Sequence, residues 1–141
     1  MDLQRMARIL VALDFSELSL SAVRTALSIA PPERVHLVHV LPVMGGLHWM
    51  TGKADEEART EVVTERIQRE LAAATIPHEG MTIHVVVGAP GPEICDLANH
   101  LGAELVVIGS HGHKGGIQRL LMGSTAYAVV RHVKTSVLVV R

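Results

Sequence analysis

The sequence is poor in several kinds of residue, and each shortage removes a class of explanation. Cys95 is the single cysteine among 141 residues, which excludes an intrachain disulfide and a thiolate metal cluster and fits a reducing cytoplasm. Phe15, Trp49 and Tyr127 are the only aromatic residues, too few for the stacking platforms that hold single-stranded nucleic acid. Cationic surplus is missing as well. Thirteen Lys and Arg stand against fourteen Asp and Glu, a net charge of −1, where a protein that follows a phosphate backbone needs a basic face. A nucleic-acid partner is therefore not expected. Nor is there a long apolar run: Ile9 to Leu13 is far shorter than a membrane span or the core of a signal sequence. The expectation is one soluble, cytoplasmic domain over residues 1–141, unattached to any membrane.

What the chain does have is aliphatic, since 48% of its residues are apolar and almost none of these are aromatic. Short continuous runs of Val, Ile and Leu alternate with amphipathic stretches. Ile9–Leu13, Val35–Val40, Thr82–Val87, Leu105–Ile108 and Ser136–Val140 read as strands covered on both faces, the pattern of a parallel sheet. Ser16 is placed to cap a helix whose Leu20, Val23, Ala26, Leu27 and Ala30 share one face, and Pro31-Pro32 stops it. Lys53–Ala74 reads as a long charged helix with Val62, Val63, Ile67 and Leu71 as its apolar stripe and Arg66 and Glu70 on its solvated face. A third helix begins at about Glu93, turns Ile94, Leu97, Ala98 and Leu101 inward and ends at Gly102, a C-cap glycine; a fourth spans Ser124–His132. Five strands alternating with four helices predict a three-layer α/β/α sandwich, Rossmann-like, on a mainly parallel sheet.

The segment richest in chemical information is Leu105–Thr125, a buried strand followed by glycines at 109, 112, 115, 116 and 123. Glycines let the backbone approach a ligand and turn its N–H groups inward. The free N–H groups and dipole of the helix start at Ser124 favour negative charge, so the combination suits a phosphate, with Lys114 and Arg119 adding cations. In this fold ligands gather at the carboxyl ends of the strands, where Asp14, Val40 and Gly109 fall. Neither a G-x-x-x-x-G-K-[ST] loop nor a G-x-G-x-x-G after the first strand is present. His36 and His39 point to opposite faces of their strand and do not share a metal. His111 and His113 flank Gly112 without a nearby carboxylate, a weak metal set. The Leu41–Gly52 loop, which carries Trp49, reads as either a lid or a plain connection.

Taken together, Ile9-Leu-Val-Ala-Leu-Asp-Phe-Ser16, the strand ending at Val40, Gly88-Ala-Pro90 with Ile94, Gly109-Ser-His-Gly112, Gly123-Ser-Thr125 and Ser136-Val-Leu-Val-Val140 resemble the universal stress protein family over almost the whole chain. The resemblance implies the adenine nucleotide alpha hydrolase-like variant of the fold and an ATP-binding regulatory protein of the stress response. The spacer His113–Met122 is one residue longer than in the family's ATP-binding branch. Carried over by position, the family pattern puts the adenine and ribose against Asp14 and the backbone of Ala12 and Val40. It frames the ribose and phosphates with Gly109, His111 and Gly112, and holds the phosphate tail at Gly123, Ser124 and Thr125, with magnesium arriving on the nucleotide. It also implies a homodimer through the last strand. No catalytic residue is assigned, leaving a slow ATPase and a non-binding interaction member as the alternative readings.

Overall fold

The computed structural model describes residues 2–43, 52–112 and 121–141. Trp49 and most of its loop lie outside these residues, as do His113, Lys114, Gly115, Gly116 and Arg119.

The five strands are β1 (Ile9–Ala12), β2 (Val35–Leu41), β3 (Thr82–Val87), β4 (Leu105–Gly109) and β5 (Ser136–Val140). Between them run α1 (Glu17–Ile29), α2 (Lys53–Ala73), α3 (Pro90–Leu101) and α4 (Ser124–His132). All neighbouring strands are parallel, in the order β3-β2-β1-β4-β5. Chain order therefore reverses between β1 and β4, the seam at which α/β sheets open a crevice.

Alternation along the strands builds two cores. Ile9, Val11, Val35, Leu37 and Val107 pack against α1 and α2, with Val23, Ala26, Ile67 and Leu71 as the helical partners. Leu10, Val38, Val106 and Ile108 pack against α3 and α4 through Ile94, Ala98, Ala126 and Val129. The α/β/α sandwich is thus the observed architecture.

One expectation about α2 needs correction. Val62 is 62% exposed, because the buried stripe runs through Val63, Ile67 and Leu71 and the preceding residue is rotated about 100° from it. Arg66 is exposed, as expected of the solvated face, and its guanidinium lies over the Phe15 ring, 3.9 Å from the centroid. Helix α3 starts at Pro90 rather than Glu93, since a proline in the first turn loses no hydrogen bond and presets the backbone. Gly102 ends α3 in the left-handed conformation, as expected of a C-cap. His36 and His39 do face opposite sides, and the Nδ1 of His36 lies 3.0 Å from Nε2 of His84 on β3, a pairing that no sequence pattern signalled.

Candidate functional site

A cavity of about 930 Å³ opens at the carboxyl ends of β1, β2 and β4, lined by residues from Ala12–Asp14, Val38–Val40, Ile108–Gly112 and Leu121–Ala126, with Pro90 and Ile94 of α3 beneath. This is the upper range of small-molecule pockets. All nine residues singled out in the sequence (Ala12, Asp14, Val40, Gly109, His111, Gly112, Gly123, Ser124 and Thr125) line it.

On the β1 side the wall is built from interlocked side chains. Oδ1 of Asp14 accepts from the Ser16 N–H at 2.9 Å and from the Ser16 hydroxyl, an Asx turn that delivers the chain into α1. The Ser16 hydroxyl oxygen caps α1 by accepting from the Ser19 N–H at 3.2 Å. Buried Ser19 completes the knot, its hydroxyl donating to Ser16 O at 2.9 Å and accepting from the Asp14 N–H at 3.3 Å. So Asp14 does cap the turn, but with one oxygen only. Its Oδ2 lies against Gly112, where a Cβ on residue 112 would stand 2.6 Å from it. Glycine at 112 is what allows β1 and β4 to present a carboxylate and bare backbone to one space.

The floor of the site is the end of β2. The Leu41 carbonyl accepts from Gly88 N–H on the β3 side, and the Val38 carbonyl accepts from Leu13 N–H on the β1 side. By the alternation of a strand, Val40 turns its N–H and C=O to the β1 side as well, beyond the point where β1 has ended. A donor and an acceptor of one residue thus face the cavity.

On the β4 side the wall is mostly main chain. Ser110 is pinned twice, its N–H donating to Val140 O at 2.8 Å and its carbonyl accepting from Gly123 N–H at 2.6 Å. Its hydroxyl shares a hydrogen bond of 2.8 Å with Nδ1 of His111. Gly109 lies close under α1, a Cβ there reaching 3.0 Å from that of Leu18. Helix α4 begins at Ser124 with Gly123 as N-cap, not Ser124, and no side chain caps it. The first intrahelical bond runs from Tyr127 N–H to Gly123 O, so the N–H groups of 124, 125 and 126 have no acceptor among the described residues. With the helix dipole behind them, these three donors make a seat for an anion.

Sequence reasoning missed Ser19, Ser110 and the functional placement of His39. Ser19 follows a capping serine by three residues, a spacing that marks a cap but not a cavity wall. His39 had only its position at a strand end to distinguish it.

Known proteins share the fold. The model of the universal stress protein family matches residues 6–141. Universal stress protein G of Shigella flexneri is 39% identical over 140 residues, covering 94% of this chain and 97% of that protein. UspA of Lactobacillus plantarum superposes with a TM-score of 0.71 at 26% identity, covering 97% of this chain and 99% of the other. A universal stress protein solved in complex with cAMP gives a TM-score of 0.61 at 27% identity, covering 96% of this chain and 97% of the other. The universal stress protein from Archaeoglobus fulgidus solved in complex with dAMP gives 0.57 at 25% identity, covering 95% and 97%. With its sheet order, its cavity at the β1/β4 seam and these likenesses all in agreement, the chain belongs to the universal stress protein family.

Proposed function

We propose that this chain is an adenine-nucleotide-binding regulatory protein of the stress response, that ATP with magnesium is its ligand, and that it works as a single-domain homodimer. The observation that carries the reading is one cavity holding two unlike sets of open backbone groups. At one end are the N–H and C=O of Val40; at the other are the uncapped N–H groups of α4. Adenine presents an acceptor beside an amino donor on its pairing edge and matches the first set; a phosphate matches the second. Solved relatives with cAMP and dAMP support the base and the nucleotide class. In this reading Ala12, Asp14 and Val40 hold the adenine and ribose. Gly109, His111 and Gly112 frame the ribose and first phosphate, and Gly123, Ser124 and Thr125 take the phosphate tail. Bound nucleotide supplies a charged, bridging group between the β1 and β4 walls. Regulation rather than turnover is assigned because Asp14, the carboxylate lining the cavity among the described residues, belongs in this reading to the adenine and ribose end and not to the phosphate tail.

The homodimer reading rests on β5. It is an edge strand of valines and leucine, and Tyr127 and Val130 are exposed on α4, the helix that leads into it. Such an edge invites pairing with a second copy. Because Val140 O faces β4, the N–H of Val139 points outward. Val139→Pro therefore removes an edge donor without touching the β4 ladder, and light scattering is expected to show monomer where the parent is dimer.

Calorimetric titration with ATP and magnesium tests the ligand. Saturable binding in the parent, weakened at least about tenfold in Gly123→Val and in Ser124→Ala, is the expected result. No binding to a folded parent would instead favour the interaction member of the family, the one-residue-longer spacer having then displaced the phosphate seat.

A further inference from the structure

The β1–β2 ladder stops one rung early. Leu13 N–H donates to Val38 O at 2.9 Å, and in a continuing parallel ladder the Leu13 carbonyl would accept the next N–H, that of Val40. That bond is not made. The Leu13 carbonyl instead lies 2.8 Å from Nδ1 of His39. A carbonyl has no proton to give, so the ring nitrogen donates, which fixes the tautomer with its hydrogen on Nδ1. The His39 ring in turn packs on Phe15, 4.8 Å between centroids at 56°. Phe15 has φ +66°, a left-handed conformation unusual for an aromatic residue, and its ring also carries the Arg66 guanidinium. Such a conformation is costly for a residue with a side chain and persists only where its surroundings hold it.

We propose that His39 is a positioning residue that keeps the Val40 N–H open for the ligand's base. By drawing the Leu13 carbonyl onto its ring and bracing Phe15, it holds that carbonyl off the line of the ladder, where the Val40 N–H does not meet it. The chain thereby trades one internal backbone bond for a donor aimed into the cavity. That a nucleobase takes this donor rests on the adenine-nucleotide reading above; that the donor is open does not.

Asn and Gln distinguish this role from simple packing. The amide nitrogen of Asn falls near the position of the imidazole Nδ1 and keeps a donor for Leu13 O, whereas that of Gln falls near Nε2 and does not. The test is amide hydrogen exchange by NMR on the ligand-free chain, with titrations of AMP and of inorganic tripolyphosphate. In the parent and in His39→Asn, the Val40 amide is expected to exchange faster than those of His39 and Leu41, whose N–H groups face β3. In His39→Gln, its protection rises at least about tenfold as the missing rung closes. AMP then binds about tenfold more weakly, the loss of one hydrogen bond, while tripolyphosphate affinity is unchanged. A Val40 amide already protected in the parent overturns the proposal without any variant needing to fold, as does equal exchange in the Asn and Gln variants. A parent whose Val40 amide behaves as expected but which ignores AMP overturns the adenine reading and leaves the positioning role standing.

Discussion

The two walls of the cavity are made by different means. The β1 wall is a knot of side chains in which Asp14, Ser16 and Ser19 bind one another within six residues, with His39 and Phe15 bracing it from behind. The β4 wall is bare main chain, held by the two bonds of Ser110 and ending in a helix start that no side chain caps. The difference follows from what each would have to recognise. A flat base edge needs a donor and an acceptor at fixed positions, which side-chain bracing provides. A phosphate needs several N–H groups with nothing in front of them, which glycines and an uncapped helix provide.

The most severe way to break the contrast is to fill the gap between the walls. Gly112→Val places a branched side chain against Oδ2 of Asp14, and nucleotide affinity is expected to fall at least about a hundredfold in calorimetry, with the circular dichroism of the fold retained. Asp14→Asn is milder. The acceptor for Ser16 is kept, so thermal stability should change little, but the cavity loses its carboxylate and nucleotide binding weakens about tenfold. Ser19→Ala loosens the knot from within. It leaves the Asp14 N–H without its acceptor, while Ser16 O keeps the Leu20 N–H, and a loss of about 1–2 kcal/mol in urea unfolding is expected, with only a few-fold effect on binding.

The smallest effect lies away from both walls. Burial holds His36 and His84 below their ordinary value near 6.5, aided by Arg8 for His36 and by His36 for His84. The unfolded chain then takes up protons first as the pH falls. Stability is complete above about pH 6.5 and declines as the pH drops toward the lowered folded values. Unfolding midpoints measured at pH 7.5 and 5.5 should differ, and His84→Gln should narrow the difference while leaving nucleotide affinity at pH 7.5 unaffected.

Much of the scaffold could be read directly from residue order, because its signals are local. Aliphatic runs bounded by Asp14, Pro31-Pro32 and Gly102 mark strands and helix ends through backbone preferences that depend on few neighbours. The glycines of the β4 wall were legible for the same reason. The β1 wall was legible in Ala12, Asp14 and the Ser16 cap but not in what braces it. The left-handed Phe15, the His39 contact with Leu13 O and the Arg66 stack each join segments far apart in the chain, and nothing in the local pattern distinguishes them from ordinary residues. Val62 shows the converse limit, since an apolar residue beside a buried stripe reads as part of it until the turn of the helix is known.

The register of Ile9 with Leu105 has a consequence for how the molecule comes into being. The cavity lies along that seam, so its two walls are separated in the chain by β2, β3 and three helices. No fragment made early in synthesis contains a usable pocket, and the first strand must wait, with Leu10 and Val11 bare on the side where β4 will lie, until β4 has left the ribosome. The chain thus acquires its cavity late in its own assembly, and a ligand spanning both walls would favour the finished chain over every partly made one.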